Sequence, residues 1–239
     1  MQILAIGNSF SQDATANLKK IADAAKEDIT VVNLVIGGCS LSRHYRNMLS
    51  EERVYSMEFN GVATGFNVSL KEALLSRDWD VITIQQASHF STKAESYQPY
   101  LSELAAYLRK YCPKVRLVIH ETWAYEQGSP RLNDYMKYSD CTDMYNDIHA
   151  AYSKAAKEVD AYKIIPSGTL IQRLYERGIT KLHRDSFHLS YGVGRYATAL
   201  LWFRCLTGRS VLDNGYKSYS PDITDEDYTA IKELVEELG

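Results

Sequence analysis

The 239-residue sequence predicts an α/β fold in which a largely parallel sheet is covered by helices on both faces. Two observations carry that expectation. Five short apolar runs rich in β-branched residues, at 2–6, 29–36, 80–84, 114–121 and 161–165, alternate with stretches whose apolar residues recur at helical spacing. Strands that alternate with helices pair in parallel through right-handed crossovers, and the helices then cover both faces. The second observation is what lies between the elements: no repeat, no low-complexity stretch and no linker divides the chain. With 45% apolar and 24% charged residues it has an ordinary globular composition, and 1–239 reads as one domain with a sizeable core.

Gln2 to Ile6 is too short for a helix and reads as the first strand. It runs into Gly7-Asn8-Ser9-Phe10-Ser11, after which Ala14, Leu18, Ile21, Ala22 and Ala25 mark a helix from Asp13 to Lys26. Ile29 to Ile36 is the second strand, closed by Gly37-Gly38; paired glycines signal a tight turn or a close backbone approach. Leu41 to Leu49 reads as a short helix, and Arg53 to Phe66, with Asn60-Gly61 between two runs, as a hairpin or an irregular excursion. Ser69 caps a helix to Ser76, and Asp80 to Ile84 is the third strand, ending in Gln85-Gln86-Ala87-Ser88-His89. Ser96 to Tyr111 is an amphipathic helix stopped by Pro113, and Lys114 to Glu121 is the fourth strand. Thr122 to Tyr138 holds Gly128, Pro130 and several tyrosines without a period. It is expected to be a long loop over one end of the sheet, where lids and specificity loops are found. A long helix from Asp140 to Val159 precedes the fifth strand, Ala161 to Ile165. Pro166-Ser167-Gly168 opens a helix to about Arg177, and another spans Tyr191 to Leu206. After a loop from Ser218 to Ile223, Thr224 caps an acidic, peripheral helix from Asp225 to Leu238.

A net charge of −3 with scattered Lys and Arg argues against a nucleic-acid partner. No apolar stretch is long enough to span a membrane, so no membrane partner is expected. Cys39, Cys112, Cys141 and Cys205 are far apart, without a C-x-x-C pair or a His at ligand spacing, so they read as free buried thiols and no metal is expected. The chain opens directly on its first strand, which makes a cytoplasmic location the default expectation; a trimmed secreted or periplasmic form would read the same. Nothing in the sequence sets an oligomeric state. Eighteen Tyr against 6 Phe suit a wet groove or an interface, since Tyr combines a flat apolar face with a polar tip.

The first strand, its Gly-led turn and the helix behind it place backbone N–H groups and side chains at the carboxyl end of a sheet, where open α/β sheets bind ligands. A hydroxyl there stands in a field that favours a developing anion, so Ser9 is the candidate nucleophile. Serine needs a base to take its proton and a third group to orient that base. Among six histidines, His44, His149 and His183 are accounted for by solvated or capping roles, and His89 and His120 are near enough to the sheet edge to be considered. His188 differs because it follows Asp185 by three residues in a loop entering a helix, a spacing that lets one carboxylate reach its second ring nitrogen.

Gly7-Asn8-Ser9-Phe10-Ser11 resembles the Gly-Asp-Ser-Leu-Ser block that opens SGNH/GDSL hydrolases, and Asp185-Ser186-Phe187-His188 resembles their last block, Asp-x-x-His. Gly37-Gly38 falls where that family has its second-block glycine, and order and spacing agree over roughly residues 2–207. The wording of the blocks is most similar to an uncharacterised bacterial branch often associated with glycan breakdown. The resemblance implies a flavodoxin-like three-layer α/β/α sandwich with a mostly five-stranded parallel sheet. It implies Ser9 as nucleophile, His188 as general base and then acid, and Asp185 as orienting carboxylate, with no cofactor. The oxyanion would be held by the backbone N–H groups of Ser9 and Gly38 (Gly37 less so) and by a side-chain amide. The sequence departs from the family at that amide. In place of Gly-x-Asn-Asp it has Gln85-Gln86-Ala87-Ser88, which leaves Gln85 as the favoured donor and Gln86 as the alternative. The first block also carries Asn8 where the family has Asp.

Such a triad implies hydrolysis of an acyl ester on a small molecule or a carbohydrate. The loops around the site offer His44, Gln86, His89 and Phe90 rather than an aliphatic groove, and Trp123 to Tyr145 is rich in rings that stack on sugars. A short acyl group, acetyl on a carbohydrate, is therefore expected, with Asn8, His89 and Trp123 as substrate contacts. Two readings compete. A catalytically silent binding domain for a glycan or partner is suggested by the missing Gly-x-Asn-Asp block. A nucleotide or phosphate binder cradling an anion at Gly7 to Ser11 is disfavoured by the lack of a P-loop or Gly-x-Gly-x-x-Gly spacing.

Overall fold

The computed structural model describes residues 1–221 and 223–239. Its strands are β1 (Gln2–Gly7), β2 (Thr30–Val35), β3 (Tyr55–Phe59), β4 (Val62–Val68), β5 (Val81–Ile84), β6 (Arg116–His120) and β7 (Lys163–Ile165), joined in one sheet of order β4-β3-β2-β1-β5-β6-β7. β1 pairs in parallel with β2 and β5, and β5, β6 and β7 continue in parallel. These are the five expected strands. The 53–66 stretch is the hairpin of its two readings, and it adds an antiparallel β3–β4 extension to the edge of β2. Its turn falls on Asn60-Gly61 at φ +52° and +79°, the left-handed pair that a two-residue hairpin turn requires. β1 and β5 are buried on both faces, which is why they read as unbroken apolar runs rather than alternating ones.

The helices form the outer layers. The segment expected as one helix from Asp13 to Lys26 begins four residues earlier and is split into α1 (Ser9–Thr15) and α2 (Leu18–Ala24). Its early start has a local cause, since the Asn8 side chain accepts the Phe10 N–H and caps the first turn at Ser9. α3 (Leu41–Ser50) and α4 (Leu70–Leu75) are capped by Ser40 and Ser69, the latter in a capping box with Glu72. α5 (Tyr100–Tyr111) starts later than expected because Pro99 takes its N-cap position behind a 3₁₀ turn at Ala94–Ser96. α6 (Cys141–Glu158), α7 (Ser167–Glu176) and α8 (Val193–Thr207) follow, and α9 (Asp225–Leu238) is capped by Thr224. The expected loop from Ser218 to Ile223 includes Asp222, which lies outside the described residues.

α8 is buried almost all round, including Tyr196, Trp202 and Phe203, because α1, α2, α7 and α9 all pack on it. α3, α4 and α5 pack against one another in the other layer. α9 is acidic in its first turn, yet it buries Tyr228, Ile231, Leu234 and Val235. All four cysteines are free and buried, and no described helix is long and apolar enough to cross a membrane.

Candidate active site

β1 ends at Gly7 and delivers Ser9 as the first residue of α1, so the Ser9 N–H has no intrahelical acceptor. A side chain at Gly7 would meet the Ser11 Oγ at 2.6 Å, so only glycine lets the chain turn this tightly. Ser9 Oγ lies 2.8 Å from His188 Nε2, and His188 Nδ1 lies 2.8 Å from Asp185 Oδ2. Asp185 Oδ1 also accepts the His188 backbone N–H at 2.9 Å, so both carboxylate oxygens grip one residue. Nδ1 then carries the proton, and the Nε2 lone pair faces the serine hydroxyl. Partial burial pushes the Asp185 carboxyl up, but its hydrogen bonds from the His188 ring and backbone outweigh that and hold it below the usual aspartate value. The turn needs Ser186 at φ +72°, an uncommon conformation for a non-glycine residue.

Three ties fix this loop. Fully buried Asp13 receives Arg184 Nη1 at 2.9 Å on each oxygen, Arg195 Nη2 at 2.7 Å and the Leu189 N–H at 3.0 Å. Trp123 Nε1 donates to the Phe187 carbonyl at 2.8 Å while its ring stacks on Phe10, centroids 4.3 Å apart. The Glu126 N–H donates to the Ser186 carbonyl at 2.8 Å. Asp13 was not recognisable as part of the site from its sequence, where it reads only as an acid in a first helical turn.

Opposite the loop, Gly38 sits at φ +61° with open space where a side chain would be; the turn conformation, rather than crowding, calls for glycine. Its N–H is taken by no other backbone carbonyl among the described residues. Asn8 ties the two turns together, because its Nδ2 donates to the Cys39 carbonyl at 3.1 Å.

The two glutamines expected to complete an oxyanion site are engaged elsewhere. Gln85 Nε2 donates to Asn8 Oδ1 at 3.0 Å, and its Oε1 accepts from His120 Nδ1 at 2.7 Å. Burial drives His120 down to about 3, so this ring is neutral and its Nε2 accepts the Ser167 hydroxyl at 3.1 Å. Gln86 Oε1 takes the N–H groups of Leu41 and Ala87, each at 2.9 Å, while Nε2 donates to the Ser96 carbonyl and hydroxyl, each at 3.1 Å. Neither glutamine lines the cleft that holds Ser9. Gln86 reaches loop backbone instead, and Gln85 is held by two side chains. Ser88 does line that cleft, its hydroxyl 2.9 Å from the Tyr125 hydroxyl.

The cleft has a volume of about 490 Å³, and besides Ser9 and His188 its wall includes Gly38, Ser88, His89, Tyr125, Arg131 and Tyr135. Asn8 contributes an edge though it is 2% exposed. His89 is held below the usual histidine value by burial and then by the cations of Lys93 and Arg131. Trp123, expected to contact substrate, is 0% exposed and has no free face; its ring is consumed by Phe10. Tyr135 is the ring of that segment that stands open at the cleft. A more enclosed hollow of about 290 Å³ beside Tyr125 contains none of Ser9, Asp185 and His188. Among the described residues, no group of three or more His, Cys, Asp or Glu is arranged to hold a metal ion.

The chain belongs to the family described as a domain of unknown function, DUF4886, whose model matches residues 2–230. A crystal structure of a DUF4886 family protein from Bacteroides uniformis is 34% identical, with a TM-score of 0.91 over 99% of this chain and 93% of that one. A candidate SGNH hydrolase from Slackia heliotrinireducens is 23% identical, with a TM-score of 0.63 over 86% and 98%. A family 3 carbohydrate esterase from Clostridium thermocellum is 13% identical, with a TM-score of 0.54 over 85% and 94%. These last two share the fold, which is therefore that of SGNH and GDSL-like hydrolases. No curated protein matches the chain.

Proposed function

We propose that the chain hydrolyses short acyl esters, acetyl above all, on a carbohydrate, through an acyl-enzyme at Ser9. The observation that carries this is the continuous hydrogen-bonded path from Ser9 Oγ through the His188 ring to Asp185, 2.8 Å at each step. Ser9 Oγ attacks the ester carbonyl carbon as its proton passes to His188 Nε2, and Asp185 stabilises the imidazolium. The carbonyl oxygen, now an anion, is held by the N–H groups of Ser9 and Gly38 and by the Ser88 hydroxyl, which takes the donor role expected of Gln85 or Gln86. Collapse expels the alcohol, which takes the proton from His188. Water then attacks the acyl-enzyme with His188 again as base, and the carboxylic acid leaves.

The cleft wall supports a short acyl group, because it is aromatic and polar and contains no Leu, Ile, Val or Met. Exposed Tyr135 supports a sugar as the alcohol part, since a flat ring beside polar groups suits a pyranose face. The test is hydrolysis of 4-nitrophenyl acetate by the wild type, Ser9→Ala and His188→Ala. Loss in both folded variants is expected; equal rates in all three would put the binding-domain reading first.

A further inference from the structure

The cleft carries a cation with no ion-pair partner among the described residues. Arg131 stands on its wall with its guanidinium carbon 4.0 Å from the Phe187 ring centroid and 5.9 Å from that of Tyr135. It also reaches the Tyr125 hydroxyl. No carboxylate forms an ion pair with it among the described residues, although the chain has 30 Asp and Glu against 27 Lys and Arg. The cleft wall itself contains no Asp or Glu. Asp185 turns both oxygens onto His188. Lys93 lines the adjoining hollow, which shares His89 and Tyr135 with the cleft and also holds Glu95.

The guanidinium lies over the Phe187 ring, and the N–H donors that do not face Tyr125 remain for an acceptor. That edge matches a carboxylate in a planar, two-bond arrangement. Phe187 is next to His188, their rings 3.9 Å apart, so an anion on Arg131 would share the cleft with the serine. Arg131 also lines an open hollow with Pro130, Tyr135 and Ser186, which shares Arg131 and Tyr135 with the cleft and gives room for the alcohol part.

We propose that Arg131 recognises a carboxylate on the alcohol part of the substrate, so that the preferred ester is an acylated acidic sugar rather than a neutral one. The proposal rests on the ester-hydrolase reading above, and its test separates the two. The probes are the mono-acetylated methyl glucuronoside, the matching methyl glucoside and its 6-sulfate. Binding is measured by calorimetry with Ser9→Ala, which reads recognition whether or not turnover occurs, and kcat/KM is measured with the wild type.

The expected result is about tenfold tighter binding and faster turnover of the glucuronoside than of the glucoside, a size typical of a charge-assisted hydrogen bond partly open to water. Arg131→Gln, introduced in both backgrounds, brings the two sugars to equal values. Arg131→Lys, which keeps charge and loses the fork, restores part of the preference. Equal binding of acidic and neutral sugars by the Ser9→Ala chain, or a preference that survives Arg131→Gln, overturns the proposal and leaves the hydrolase reading intact. A 6-sulfate favoured over the carboxylate overturns the choice of carboxylate. A tenfold binding preference without any ester turnover supports Arg131 and overturns the hydrolase reading.

Discussion

Asp13 accepts the backbone N–H of Leu189 at 3.0 Å across 176 residues of sequence, and in doing so docks the loop of His188 onto the helix that begins at Ser9. The same carboxylate neutralises Arg184 and Arg195, whose side chains are 20% and 22% exposed. Asp13→Asn keeps the shape and removes the charge, leaving two cations facing one amide. A loss of about 3 kcal/mol in urea unfolding is expected, since breaking a buried ion pair strands its partners. Ester turnover in the folded variant falls as well, because His188 is displaced from Ser9. Turnover at the wild-type rate would show that the loop holds its position through Trp123 and Glu126 alone.

Ser88 is the second residue to test. Its hydroxyl and that of Tyr125 are 2.9 Å apart, and either can donate to the other. When Tyr125 donates, the Ser88 proton is free to meet the proposed oxyanion. Ser88→Ala is expected to lower kcat by ~10²–10³ with little change in KM, the pattern of a donor used only in the transition state. A rise in KM alone would place Ser88 in substrate binding and return the oxyanion to two backbone donors.

The fold was legible because its signals are local. Five buried strands show as apolar runs, and Asn60-Gly61 marks the hairpin that widens the sheet to seven strands. The approach of Asp185 to His188 was equally local, three residues apart in one turn. What the sequence hid depends on distant partners. Nothing near Asp13 reveals arginines 171 and 182 residues away. Trp123 reads as a sugar platform until Phe10 is seen to cover it. Gln85 and Gln86 occupy the right loop, but side-chain direction at a strand end is set by the neighbours that claim each amide, here Asn8, His120 and Ser96.

Gln85 bridges His120 to Asn8, and Asn8 in turn spans the Ser9 and Gly38 turns. Gln85→Leu removes both bonds in a buried setting, leaving the His120 Nδ1–H unpaired and Asn8 short of one donor. A stability loss of about 1–3 kcal/mol is expected from the unpaired group, read by chemical unfolding. Adding Asn8→Ala should cost less in this background than in the wild type, because the two side chains already act as one unit. Strict additivity would mean that Gln85 serves only its own strand.

Glu121 is fully buried at the end of β6, where it accepts the Thr169 N–H at 2.8 Å and the His149 Nδ1 at 2.8 Å. The hydrogen bond that His149 donates to Glu121 raises the His149 value above its ordinary 6.5, against the smaller opposing effect of burial. A raised value in the folded chain means that folding favours the protonated ring. That contribution is complete below about pH 6.5 and fades as the pH rises through the folded value. His149→Gln, which lacks the titrating ring, should therefore lower the melting temperature more at pH 6 than at pH 9. Because the His149 side chain is half exposed, screening keeps the difference modest, and added salt should shrink it further. The same melting-temperature loss at both pH values would mean that the neutral ring serves Glu121 as well as the charged one.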